Sequence, residues 1–160
     1  MVICHIVHFV TMRRTGYSMV NIFGERPDLK AVRDELKISQ AVLASYLGVS
    51  VRTVQSCEQG WRCPGETVKK ALLLLLITHR RREELAALHC WEEIGCTDAQ
   101  REQCLIYQSR QGHLCWFLLG NQCAARPNLG WKEKKTMCRQ CAFFQKLIRP
   151  AGTPQEQLIQ

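Results

Sequence analysis

Long hydrophobic stretches are the first thing this 160-residue sequence lacks: its longest uninterrupted apolar run is the seven residues 71–77. Spanning a bilayer takes about 18 to 20 such residues. A membrane-spanning segment is therefore excluded, and the run reads as a buried helix. Acidic residues are also scarce, 14 Asp plus Glu against 22 Lys plus Arg, and the formal net charge of +8 favours polyanionic partners. Ten glycines and five prolines are too few for a collagen-like or low-complexity chain, and 22% charged with 46% hydrophobic residues excludes wholesale disorder. There is no glycine-rich phosphate loop, no paired-carboxylate cleft and no nucleophile elbow, so an enzyme is not expected. The apolar opening, residues 1–10, has no basic flank before it, because Arg13 and Arg14 lie on its far side; it reads poorly as a secretory signal. Translation beginning at Met19 is one expectation, and the extension 1–24 carries none of the functional reasoning. The expected compartment is the reducing cytoplasm.

Cysteine, in contrast, is abundant, with ten in the chain. Cys90, Cys96, Cys104, Cys115, Cys123, Cys138 and Cys141 crowd into the 52 residues 90–141, and an odd number cannot pair completely. Clustered thiols in a reducing compartment are more often metal ligands than disulfides. Length and this uneven distribution predict a mainly α chain of two small modules: a helix-turn-helix bundle over 25–88 and a cysteine-rich, metal-stabilised module over 89–148, with a flexible tail at 149–160.

In the first module, Pro27 and the spacing of Leu29, Val32 and Leu36 predict a helix to Leu36. Ser39 is placed to cap a second helix that Gly48 ends, and Ser50 to cap a third running to about Gln59. Two short helices joined by Gly48, Val49 and Ser50 make a helix-turn-helix, with Ala44 allowing close packing and Val54 and Cys57 facing the core. By exclusion, Val51, Arg52, Gln55 and Ser56 project from the free face of the third helix, with Ser50 and Thr53 at its amino end, where such helices meet base edges. Arg52 suits guanine and Gln55 adenine. Gln40, at the start of the second helix, and Arg62 are expected to hold phosphates. A solvated helical hairpin is the rival reading of the same pattern. Beyond Pro64 and Gly65, one long helix is expected from Glu66 to Leu88, its leucine-rich run buried against a second copy in a homodimer, followed by a solvated hinge at Arg80, Arg81 and Arg82.

Residues 36–64, LKISQAVLASYLGVSVRTVQSCEQGWRCP, resemble the Xre/Cro type of helix-turn-helix over roughly 34–76. That resemblance implies a four- or five-helix domain that binds double-stranded DNA, commonly as a dimer on a palindromic operator. Cys57 stands where those relatives usually carry Trp, and Trp61 where a small basic residue is common.

In the second module the CxxC of Cys138 and Cys141 is expected on one helix, 131–147, with both sulfurs on one face. Five more cysteines nearby make thiolate ligation the favoured reading, with Zn2+ or an iron–sulfur cluster as the ion, and Trp91, Trp116, Trp131, Phe117, Phe143 and Phe144 packed round it. A thin core of so few branched aliphatics needs such a staple. His113 reads as a core histidine, a ligand or a residue orienting one, and His89 as a helix-dipole partner. The pattern Cys90-Trp91-Glu92, Cys96, Cys104, His113-Leu114-Cys115-Trp116, Cys123 and the closing CxxC before Phe143 and Phe144 resembles the two-CW domain. That resemblance implies metal binding of undefined type. The chain as a whole is expected to be a sequence-specific transcriptional regulator, with metal or redox sensing as an extension. The alternatives are an autoregulating antitoxin or adaptor whose cysteine-rich module grips a protein partner, and a thiol oxidoreductase using Cys138 and Cys141, disfavoured because no strand precedes that pair.

Overall fold

The computed structural model describes residues 26–119, 122–123 and 129–149. The extension 1–24 and, apart from Arg149, the tail lie outside the described residues. Those described are mainly helical, with no strand among them. The chain divides into two compact units between Leu75 and Leu76, whereas the sequence reading ends the first module at 88.

Local capping explains the first unit. In α1, Leu29–Leu36, the Asp28 carboxylate accepts the Ala31 amide at 2.8 Å. The helix closes at Lys37, a non-glycine residue held left-handed at φ 55°, whose amide and that of Ile38 return to Asp34 and Arg33. In α2, Gln40–Leu47, Ser39 Oγ accepts the Val42 amide at 3.2 Å. Gly48 ends it at φ 64°, a conformation only glycine adopts without strain. Ser50 Oγ then accepts the Thr53 amide at 3.1 Å to open α3, Val51–Glu58. Helix α3 packs on both α1 and α2. Val32, Leu43, Ala44 and Val54 are buried in this unit, while Cys57 is only half-buried.

Helix α4, Glu66–Arg80, crosses the division between the units and stops eight residues short of the expected end. A turn and a short 3-10 segment, Leu85–Ala87, replace the rest. The reason lies 65 to 68 residues downstream: the guanidinium of Arg80 donates to the Ile148 carbonyl, and that of Arg81 to the carbonyls of Lys146 and Arg149. These carbonyls lie at the carboxyl end of the helix Ala142–Ile148, where helix geometry itself supplies no further partner, so the two arginines act as its cap. Arg80 and Arg81 are therefore half-buried structural residues, and of the expected solvated hinge only Arg82 is exposed, followed by the exposed Glu83 and Glu84. The run 71–77 is also largely covered without a second copy, since Leu72, Leu73, Leu76 and Ile77 are at most 1% exposed.

The second unit continues with short helices: α5 Cys90–Glu93, α6 Asp98–Glu102, α7 Leu105–Gln108, α8 Trp131–Arg139 and α9 Ala142–Ile148. The single helix expected over 131–147 is two. Gln140 ends α8, and Cys141 takes an extended backbone at φ −81°, ψ 121° to start α9. The CxxC thus straddles a helix joint, with the Cys141 amide bonded to the Cys138 carbonyl at 3.1 Å. Trp116, Phe143, Phe144 and Leu147 form a core, with Trp116 edge-on to Phe144 at 5.9 Å. Trp91 is also buried, whereas Phe117 and Trp131 are half-buried.

Candidate functional site

Two sets of side chains are candidates, one in each unit. In the first unit, the capped turn between α2 and α3 leaves Ser50, Val51, Arg52, Gln55 and Arg62 exposed. Thr53 and Ser56 are half-buried and engaged within the helix, Thr53 Oγ1 with Ser50 Oγ at 2.9 Å and the Ser56 hydroxyl donating to the Arg52 carbonyl at 2.8 Å. These two contribute helix geometry more than free donors. Trp61, at 80% exposure, stands beside Arg62, and the amides of both bond the Ser56 carbonyl at the end of α3.

Gln40 departs most from its expected part. Its side-chain amide donates to Glu58 at 2.8 Å, and its carbonyl oxygen accepts from Gln55 at 3.3 Å. The second oxygen of the mostly buried Glu58 carboxylate takes the Arg33 guanidinium at 2.9 Å. Arg33, Glu58, Gln40 and Gln55 therefore form one relay across α1, α2 and α3. Its effect is to aim Gln55 while leaving that residue's carbonyl oxygen and second N–H available, the pair that an adenine edge requires. Neither Arg33 nor Glu58 was a candidate from sequence, because nothing local signals a partner 25 residues away.

In the second unit, Cys90, Cys96, Cys104, Cys115 and Cys123 line one small cavity of about 30 Å³. Trp91, Ile94 and Tyr107 supply apolar walls, and Gln100, Arg101 and Gln122 the polar margin. The seven thiols of this unit are free and feel one another electrostatically as one connected set. Cys115 donates a hydrogen bond to Cys90, which lowers the Cys90 thiol below its ordinary value against the opposing effect of burial. The same bond, with burial and the neighbouring thiols, raises Cys115. Burial, then Cys141, Cys90 and Cys96, push Cys123 up to about 11. Burial pushes Cys138 up to about 12 although Lys134 pulls the other way. Cys96 is raised too, by burial first and then by Cys90 and Cys104.

Whether these residues suit a thiophilic ion can be judged from the donors themselves. Sulfur is the right donor for zinc or an iron–sulfur cluster, and five of the seven cysteines line one cavity. The buried Nδ1 atoms of His89 and His113 have no hydrogen-bond partner and flank Cys90 and Cys115 in sequence. Among the described residues no three His, Cys, Asp or Glu side chains stand close enough together to be a formed site. The set therefore suits a metal by donor chemistry alone, with the side chains not drawn into a coordination shell. His89 stacks on Trp91 at 4.5 Å instead of standing at a helix carboxyl end, since it precedes α5.

Comparison with family models, with curated proteins and with solved structures finds no match to this chain. No helix among the described residues is long and apolar enough to cross a membrane.

Proposed function

We propose that the chain is a sequence-specific DNA-binding regulator of the Xre/Cro kind whose cysteine-rich unit, of the two-CW kind, binds a thiophilic metal. The observation that carries the first half is the relay from Arg33 and Glu58 through Gln40 to Gln55, which spends half-buried polar groups on orienting one exposed amide beside an exposed arginine. A merely solvated hairpin has no use for it. Arg52 and Gln55 read base edges, and Arg62 contacts phosphate. The net charge of +8 supports the polyanionic partner. A homodimer on a two-fold operator belongs to the same reading.

The experiment is selection of bound duplexes from a random pool by the full chain, followed by binding measurements on the selected site. Alanine at Arg52 or Gln55 should each cost about 1–3 kcal/mol and relax preference at one base position. Alanine at Arg62 should weaken all duplexes alike and flatten the salt dependence. Failure to enrich any sequence refutes the reading.

The cysteine-rich unit takes zinc or an iron–sulfur cluster through thiols drawn from Cys90, Cys96, Cys104, Cys115, Cys123, Cys138 and Cys141. When bound, the metal supplies the cross-link that the thin core lacks. Anaerobic purification with elemental analysis and a visible spectrum separates the two ions, and responsiveness to metal or oxidant is tested on DNA affinity.

A second reading is an autoregulating antitoxin or adaptor. It is favoured by the exposure of Ile94 at 39%, Leu105 at 56% and Leu119 at 49%, all in the second unit. Co-purification of one stoichiometric small protein, lost when these positions become polar, supports it.

A further inference from the structure

Trp61 is the most exposed large apolar side chain among the described residues, at 80%. Its place is nevertheless fixed. Gly60 turns the chain left-handed at φ 78° and bonds the Cys57 carbonyl through its amide at 3.1 Å, and the Trp61 amide bonds the Ser56 carbonyl at 2.9 Å. Pro64, three residues on, is buried and anchors the other side of the turn. The indole thus stands on a held turn at the carboxyl end of α3, outside the core that would ordinarily take so large an apolar surface. Guanidinium groups flank this turn. Arg62 follows Trp61 and is exposed, and Arg26, also exposed, brings Nη1 to 3.8 Å from where a Cβ on Gly60 would lie. An aromatic surface set among cations suits a polyanion that also has apolar faces, and a nucleic-acid strand has both.

We infer that Trp61 packs against a deoxyribose of the DNA strand that borders the groove, with Arg26 and Arg62 on the phosphates to either side. The inference rests on the DNA-binding reading above and adds to it an apolar contact with the backbone. The length of α3 brings the indole there. Eight residues make about 12 Å of helix, about the width of the major groove. With Arg52 at the base edges, the opposite end of α3 therefore reaches the rim of the groove, where sugars and phosphates alternate. Phosphates take the guanidinium groups, and the C–H face of a sugar suits an indole. Such a contact fixes where α3 sits and carries no base information. It also releases no counterion, so it adds affinity that salt does not screen.

The test measures binding of the full chain to its selected duplex and to a scrambled duplex over stepped salt. Trp61→Ala should weaken both about tenfold, with base preference and the slope of log affinity against log salt as in the parent chain. Trp61→Lys should regain affinity at low salt with a slope steeper by about 0.9, because one more phosphate is neutralised. Only exposed surface is removed, so the melting of the first unit should not move in either variant. Should it fall, acrylamide quenching of the parent chain makes the same decision. Trp91 and Trp116 are buried, so the duplex should shield an emission that comes chiefly from Trp61, and that shielding should be missing from Trp61→Phe. Undiminished binding by Trp61→Ala, or an indole as quenchable on the duplex as off it, overturns the inference. A changed base preference overturns it too, since the indole would then be reading bases. So does a flatter salt slope in Trp61→Ala, which would mean that the indole served only to hold Arg62. A parent chain that enriches no duplex refutes the DNA-binding reading itself, and this inference with it.

Discussion

Replacing Gly112 by alanine probes how tightly the cysteine-rich unit is closed. A methyl group there would lie 2.8 Å from the His89 Cα, 2.9 Å from Trp91 Cζ3 and 3.1 Å from the Cys90 backbone nitrogen. Two of those three atoms are backbone, so no side-chain rotation relieves the overlap, and Trp91 is itself pinned between His89, stacked at 4.5 Å, and Tyr107, edge-on at 5.0 Å. Overpacking of this kind costs about 1–3 kcal/mol, and backbone contact puts the substitution at the upper end. For a unit of this size each kcal/mol shifts the midpoint by about 4–8 °C, so Gly112→Ala should lower the melting transition of the second unit by roughly 10–20 °C. Calorimetry of the metal-free chain resolves the effect, and the transition of the first unit should not move. Because the segment that must yield carries Cys90, metal uptake should weaken in parallel. A variant melting within a degree or two of the parent would show that residues 89–91 and 112 are not packed as described, and the arrangement of the thiol cavity would fall with them.

The remaining expectations concern other links in the chain from sequence to function. With Cys123 raised to about 11 and Cys138 to about 12 from an ordinary 9.0, the folded metal-free unit holds protons that the unfolded chain releases first. Its stability is therefore full below about pH 9 and falls as pH rises towards 11 and 12, by up to about 1.4 kcal/mol per pH unit for each thiol; urea titrations at stepped pH check the sign, and a rise would refute it. Lys37→Gly removes a left-handed non-glycine cap at φ 55° and should stabilise the first unit by about 1 kcal/mol in thermal melts. Ser39→Ala deletes the α2 cap and should cost about 1 kcal/mol by the same measurement. Glu58→Ala should release Gln40 and, through it, Gln55, reducing discrimination at the adenine position more than affinity for random duplex, as competition binding would show.

Sequence signals were reliable where the stabilising contact closes within three or four residues. Ser39 and Ser50 each bond an amide three positions on, and Gly48 reverses the chain on the spot. The starts of α2 and α3 and the exposed faces of Arg52 and Gln55 could therefore be read directly. The crowding of seven cysteines was equally plain, and five of them meet at one cavity. The helix expected to reach Leu88 fails at Arg80 because the partners of Arg80 and Arg81 lie near residue 148, and a periodic pattern carries no trace of them. The same holds for the CxxC, whose three-residue spacing is compatible with one helix turn or with a joint between two helices.

Residue type and short-range spacing thus determined the helical character of the chain, the capped pair α2 and α3, and the supply of thiols, because capping and amphipathic burial are properties of neighbouring residues. Only the tertiary structure decided that Gln40 faces inward to Glu58, that α4 stops where α9 needs its arginines, and that Lys134 is buried where an exposed lysine would be expected. Those outcomes depend on which charges and carbonyls are desolvated together, and that is settled by residues brought close in space from 16 to 68 positions apart in the chain.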